Sequence, residues 1–192
     1  MRVMYLSVGS GLGGGERSLL DILASIRQAQ PSWALGLLTG DDGPLVAEAV
    51  SLGVAVTALP LPRGLSRIGE AGSGPGHGLW LAARLAGVAF PVARYVARLR
   101  HALQAFQPDI LHTNSLKMHV LGAWAAPRST AVVWHLHDYI GRRPATARLL
   151  RLNAGRAAAV VTNSVSVAED ARLVLGPGAT IVPVLNAIDL ER

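Results

Sequence analysis

Short apolar runs rich in β-branched residues alternate with longer stretches rich in alanine, leucine and arginine, and this alternation restricts the fold more than any other feature. The short runs are typical of buried strands and the longer stretches of helices. Strands that alternate with helices predict a parallel sheet covered by helices on both faces. We therefore predict a Rossmann-like three-layer α/β/α fold with a mostly parallel sheet of about seven strands.

The predicted strands and helices follow one another in regular order along the chain. The predicted strands are 2–8, 34–39, 55–59, 110–112, 131–137, 159–162 and 181–184. The predicted helices are 15–29, 44–52, 79–106, 116–125, 145–153 and 165–175.

Chain length predicts a single domain. A chain of 192 residues is long enough for one α/β core and short for two. We assign 1–185 to this domain. Within it, 60–78 is rich in proline, glycine and serine and is interpreted as a flexible internal loop. We interpret 186–192 as the start of a linker to a second domain.

Composition excludes several kinds of chemistry. The chain has no cysteine, so a disulfide framework, a thiolate nucleophile and a cysteine-ligated metal are excluded. We expect no signal peptide, because the first predicted strand runs directly into a glycine-rich turn. The most apolar stretch, 79–97, is interrupted by Arg84, Pro91 and Arg94. We expect a cytoplasmic protein, with peripheral contact with the inner membrane surface as a further option.

Positive charge is concentrated in the middle of the chain. Residues 79–156 hold eleven Arg or Lys against two Asp. Such a block suits phosphate, nucleic acid or an anionic membrane, although seventeen Arg to one Lys also fits a compositional habit of the genome. Helix 79–106 interleaves aromatic residues with arginines, so it is either a membrane-docking helix or an ordinary amphipathic surface helix. No nucleic-acid-binding motif accompanies the charge, and we expect no nucleic-acid partner.

The turn after the first strand is glycine-rich. In a doubly wound sheet, ligands bind beyond the carboxyl ends of the strands. Residues 9–16 form such a turn and contain G-x-G-x-x-G at Gly9, Gly11 and Gly14. Its amides and the positive end of the helix dipole suit an anionic group. The alternative is that the glycines only allow close packing of the helix on the strand.

Two further strands end in polar side chains. The fourth strand runs into His112, Asn114 and Ser115, which can each bond a sugar hydroxyl. Alternatively, Asn114 or Ser115 only caps the next helix, and the sequence favours capping by Ser115 and leaves His112 open. The fifth ends in His137 and Asp138.

Alternation places His135 and His137 on the same side of the fifth strand. A metal site with Asp138, a polar pair in a substrate crevice and structural histidines are all open. The metal site is the least favoured of the three interpretations, because no third histidine is close in sequence.

Five short motifs together resemble the amino-terminal domain of family 4 of the retaining glycosyltransferases. The family pattern is a G-G-x-E loop, a P-D-(I/V)-(I/L)-H strand, an H-D strand end, a V-x-x-S strand and a closing N-G-(I/V)-D. In this chain the motifs stand at 13–16, 108–112, 137–138, 161–164 and 186–189, in the family's order.

The resemblance implies the amino-terminal, acceptor-side half of a GT-B fold. It implies transfer of a sugar from a nucleotide-diphosphate sugar to an acceptor hydroxyl, with retention of configuration and without a metal or other cofactor. The acceptor is then a glycan or a lipid-linked molecule. A carboxyl-terminal donor-binding domain, in the same chain or a separate one, is an expected partner, and this domain alone is expected to be inactive.

The resemblance also implies roles for particular residues. His137 is expected to act at the reacting centre, and the loop Gly13, Gly14 and Gly15 is expected to contact the donor diphosphate. Contacts with the acceptor or substrate are expected from Glu16, His112, Asn114 and Asp138.

The sequence departs from the family at its end and leaves a rival open. Ala187 stands where the family has glycine, and the paired glutamates of the donor domain are absent. The alternative is an NAD-type nucleotide-binding module or oxidoreductase. It needs an acidic residue at the end of the second strand, where Asp41 and Asp42 lie somewhat too far along.

Overall fold

The computed structural model describes residues 1–62 and 78–186. The strands are β1 (Arg2–Leu6), β2 (Ala34–Thr39), β3 (Ala55–Ala58), β4 (Ile110–Thr113), β5 (Ala131–Leu136), β6 (Ala157–Thr162) and β7 (Ile181–Pro183). The helices are α1 (Gly14–Ala29), α2 (Pro44–Ser51), α3 (Gly78–Phe106), α4 (Leu116–Ala125), α5 (Pro144–Asn153) and α6 (Val165–Leu175), and a 3₁₀ turn covers Ala154–Arg156.

All strands belong to one parallel sheet of order β3-β2-β1-β4-β5-β6-β7. The predicted Rossmann-like fold class is therefore confirmed, and each predicted element is present with ends within two residues of the expected ones. The 3₁₀ turn was not predicted. Most of the predicted loop 60–78 and of the predicted linker 186–192 lies outside the described residues.

The sheet changes direction of growth at β1, which pairs with β2 on one side and β4 on the other. The carboxyl ends of β1 and β4 are adjacent because Leu6 lies in register with Thr113. Trp134 of β5 lies beside Thr113 in turn. This is the topological switch point at which parallel sheets bind ligands.

Alternation along β1 divides the core between the two faces of the sheet. Val3 and Tyr5 belong to the core cluster that includes α1 and α2, whereas Met4 and Leu6 belong to the cluster on the other face, which includes residues of α3, α4 and α6. Both faces of β1 are buried, which explains why its sequence is a continuous apolar run.

Gly40 allows the chain to pass from β2 close to the end of β1. A Cβ at this position would collide with the Val8 carbonyl oxygen. A side chain would therefore push apart the loops that follow β1 and β2.

Helix α3 continues through Pro91, which removes one backbone hydrogen bond from the helix. None of the described helices is long and apolar enough to cross a membrane.

Candidate active site

A cavity of about 570 Å³ lies beyond the carboxyl ends of β1, β4 and β5. Its size is within the usual range for small-molecule sites. The first turns of α1 and α4 form part of its wall, and residues after β5, β6 and β7 complete it.

Helix α1 begins at the cavity without a side-chain cap. Gly13 is its N-cap residue, with extended backbone and no side-chain capping bond. Gly14, Gly15 and Glu16 line the cavity, whereas Gly13 itself does not. The Glu16 carboxylate folds back, so that a Cβ at Gly13 would lie 2.8 Å from Glu16 Oε2. This carboxylate therefore sits next to the positive end of the helix.

Helix α4 begins at the same cavity and is also uncapped. Ser115 occupies the N-cap position, but its hydroxyl makes no capping bond and is buried without a partner. The capping bond that the sequence favoured for Ser115 is therefore absent. Ser115, Leu116 and Lys117 line the cavity.

A chain of hydrogen bonds joins the glycine turn to the end of β5. The Asn114 Nδ2 donates to the Gly15 carbonyl over 2.9 Å, and Asn114 Oδ1 lies 2.8 Å from His137 Nε2. On the other side, Asn163 Nδ2 donates to the His137 carbonyl over 3.2 Å. His137, Asn114 and Asn163 all line the cavity.

His137, which directly follows β5, packs against His135 of that strand. The ring centroids of His135 and His137 are 4.1 Å apart, which confirms that they share one side of the strand. His135 Nδ1 lies 3.3 Å from His112 Nε2 of β4. His112 does not line the cavity, unlike His135.

Burial keeps these histidines neutral. It lowers the pKa of His112 to about 4 and of His135 to about 3, and the neighbouring imidazoles add to the effect. Burial also lowers the pKa of His137, whereas the nearby Asp138 and Glu16 carboxylates oppose this.

Sequence reasoning missed His119, which lies in the first turns of α4 and lines the cavity. Its Nδ1 lies 2.6 Å from Thr113 Oγ1, its ring stacks on Trp134, and its Nε2 is buried without a partner. No sequence signal marked it, because α4 is buried on nearly all sides. Burial moves its pKa well below the usual value.

Two other lining residues also follow the carboxyl ends of strands, where ligands are expected to bind. Asn163 follows β6 and Asn186 lies beyond β7, where its Oδ1 accepts from Ser18 Oγ over 3.3 Å. Asp138 and Arg143 also line the cavity, 4.0 Å apart and largely exposed, so their ion pair contributes little to stability.

Of the eight predicted site residues, six line the cavity, and Gly13 and His112 do not. The six are Gly14, Gly15, Glu16, Asn114, His137 and Asp138. Among the described residues, no group of three or more His, Asp or Glu is arranged to hold a metal ion.

Several solved structures are similar to this fold. The structure of Anabaena Alr3699/HepE in complex with UDP and glucose has a TM-score of 0.66 and 20% identity, and the match covers 100% of this chain and 46% of that one. The apo form of the lipopolysaccharide outer core galactosyltransferase WaaB has a TM-score of 0.70 and 13% identity, and the match covers 99% of this chain and 47% of that one. A sucrose-phosphate synthase structure from Thermosynechococcus elongatus has a TM-score of 0.59 and 13% identity, and the match covers 97% of this chain and 90% of that one.

These likenesses define the fold as the amino-terminal, Rossmann-like half of the GT-B architecture. The chain spans about half the length of the first two structures. No curated protein sequence matches it. The sequence model of Glycosyltransferase Family 4 matches residues 12–192, and the chain belongs to this family. Membership of this family supports the predicted glycosyltransferase class and not the nicotinamide-binding alternative.

Proposed function

We propose that this chain is the acceptor-side domain of a retaining glycosyltransferase. The enzyme transfers a sugar from a nucleotide-diphosphate sugar to a hydroxyl of a glycan or a lipid-linked acceptor. Because the chain spans about half of two of the structures it resembles, the donor is held by a second, carboxyl-terminal domain in the same or another chain. The relative that binds UDP and glucose supports a nucleotide sugar as donor.

One observation carries the proposal: two uncapped helix N-termini, those of α1 and α4, meet His137 in a single cavity. Free amides at the positive end of a helix are donors for an anion. Here they suit the diphosphate that leaves the donor sugar, and the loop Gly13 to Gly15 supplies those of α1. No metal is needed for this arrangement, and we expect none.

The side chains around the turn suit hydroxyl groups. His137 lies at the reacting centre, where it orients hydroxyls of the sugar and stabilises developing charge. Glu16 and Asp138 bring carboxylates that accept from acceptor hydroxyls. Asn114 completes the polar wall after β4, and His112 contributes only through His135, whose ring it contacts.

The test is sugar transfer from a panel of UDP, GDP and ADP sugars. It compares the 192-residue chain alone with the chain joined to, or mixed with, a donor-binding domain. We expect turnover only when both domains are present, because one wall of a cleft cannot assemble the transition-state contacts. In the active form, His137→Ala should lower kcat by about 100-fold or more. His101→Ala, on the exposed side of α3, is the matched control.

The product decides the stereochemistry. NMR of the new anomeric centre should show the configuration of the donor. Inversion contradicts the retaining mechanism. Absence of turnover in both formats, together with NAD binding to this chain, contradicts the proposal as a whole.

We also propose peripheral docking of α3 on an anionic membrane, which brings a lipid-linked acceptor to the cavity at the cytoplasmic face. The side chain of Phe90 is 77% exposed. Arg94 and Arg98 follow it at one-turn intervals and line a groove with Pro60 and Pro62. An exposed aromatic residue beside cations is typical of helices that lie on anionic lipid.

Vesicle co-sedimentation tests the docking. The chain should bind phosphatidylglycerol-containing vesicles better than pure phosphatidylcholine vesicles. F90S/R94Q should weaken this binding by about 10-fold, since each surface cation contributes about 1 kcal/mol. Arg172→Gln on α6 is the control. Equal binding to both vesicle types, or unchanged binding of the double variant, contradicts the docking.

A further inference from the structure

The glycine turn and Asn114 both contact His137 along one edge of its ring. A Cβ at Gly15 would lie 3.4 Å from His137 Cδ2 and 3.7 Å from Cγ, so the glycine turn packs against this edge. The adjacent Nε2 bonds Asn114. Asn114 is itself only 3% exposed.

The partners of Asn114 fix the direction of both hydrogen bonds. The Gly15 carbonyl can only accept, so the Asn114 amide nitrogen must face it. The Asn114 carbonyl oxygen is then the atom that faces His137. Since this oxygen also only accepts, His137 Nε2 must carry the hydrogen and donate it.

We propose that Asn114 is a positioning residue that holds His137 as the neutral Nε2–H tautomer and leaves Nδ1 as an unprotonated acceptor. Resting on the proposed function, this assigns His137 Nδ1 to a hydroxyl group of a substrate. A lone pair attracts a hydroxyl and repels the oxygens of a diphosphate. Asn114 then acts on the substrate through His137.

His119 shows that the tautomer is a local choice. The Thr113 hydroxyl donates to the Val133 carbonyl over 3.1 Å, so it can only accept from His119 Nδ1. His119 is therefore the Nδ1–H tautomer, the opposite of His137. Two histidines at one cavity are thus set in opposite forms by different neighbours.

The tautomer of His137 can be read directly in the 192-residue chain by long-range ¹H–¹⁵N correlation of the imidazole rings above pH 7. We expect one neutral Nε2–H form, with a hydrogen-bonded Nε2–H resonance protected from exchange with water. An Nδ1–H form of His137 overturns the proposal. This measurement does not depend on sugar transfer, so it distinguishes failure of the proposal from failure of the proposed function.

Two variants test whether Asn114 is the cause. Asn114→Ala should remove the protected Nε2–H resonance. Asn163→Ala is the matched control, because it removes a bond to the His137 carbonyl and not to the ring, and it should keep the resonance. A resonance that persists in N114A overturns the proposal.

Asn114→Asp gives a second test that retains the size of the side chain. A carboxylate beside Nε2 should raise the pKa of His137 by about one unit or more. If N114A does not give a folded spectrum, the tautomer of the unaltered chain and the pKa of His137 in N114D decide. An unchanged pKa in N114D overturns the proposal.

Discussion

Two serines occupy N-cap positions, but only one of them makes a capping hydrogen bond. Ser164 begins α6, and its Oγ accepts from the Val167 amide over 3.2 Å. Ser115 begins α4 with similar extended backbone, yet its Oγ is buried without a partner. Ser115 lines the cavity and Ser164 does not. The difference indicates that α6 uses its N-cap side chain for stability, whereas the N-terminus of α4 faces the cavity without a cap.

The surroundings of the two helices extend the contrast. Asp170 of α6 accepts from the amides of Ile140 and Gly141 over 2.7 and 3.0 Å, and so holds the loop after β5. Beside α4, in contrast, His119 Nε2 and His135 Nε2 are buried without partners. An unpaired buried polar group costs about 1–3 kcal/mol. The histidines at the cavity therefore carry buried polar atoms that a ligand or water can bond.

The largest expected effect comes from the buried histidines on the α4 side of this contrast, which should make the fold less stable in acid. His112 and His135, with pKa values of about 4 and about 3, stay neutral in the fold, whereas an unfolded histidine titrates near 6.5. Between these values the unfolded state binds more protons, so stability falls as the pH is lowered from about 6.5 and is constant above it. The two together should cost about 4 kcal/mol by pH 5. Urea denaturation between pH 5 and 8 measures this.

His135→Asn sharpens the test. The variant removes one of three buried neutral histidines, because burial also moves the pKa of His119 well below the usual value. The slope of stability against pH should therefore fall by about a third. A slope that is the same in His135→Asn and in the unaltered chain would show that other groups cause the acid sensitivity. A flat profile in the unaltered chain would contradict the burial of neutral histidines.

Much of the fold followed from the sequence because each element has a local cause. The apolar runs of β1 and β5 predicted strands, and alternation along β5 placed His135 and His137 together, as their ring contact confirms. The glycine turn, His137 and Asn114 were predicted from their places after strand ends. They lie at one cavity because β1, β4 and β5 are neighbours in the sheet.

The hydrogen bonds of the site could not be predicted in the same way. Asn114 joins Gly15 to His137, residues far from one another in sequence, and this depends on the register of β1, β4 and β5. The absence of a cap at Ser115 was equally hidden, because the sequence favours serine at an N-cap whether or not its hydroxyl bonds. The sequence thus predicted which residues meet but not which atoms bond.

The smallest expected effect tests the two serines directly. Ser164→Ala should lower the free energy of unfolding by about 1 kcal/mol, because it leaves the Val167 amide without its cap. Ser115→Ala should change it by no more than about 0.5 kcal/mol, since no bond is lost. Urea denaturation of both variants at pH 7.5 makes the comparison at a pH where the histidines are neutral in both states. If Ser115→Ala costs as much as Ser164→Ala, then Ser115 caps α4 in solution and the amides of that helix are not free for an anion. If Ser115→Ala instead raises stability, the buried hydroxyl is a cost that the fold bears without a ligand, and the case for a site at α4 becomes stronger.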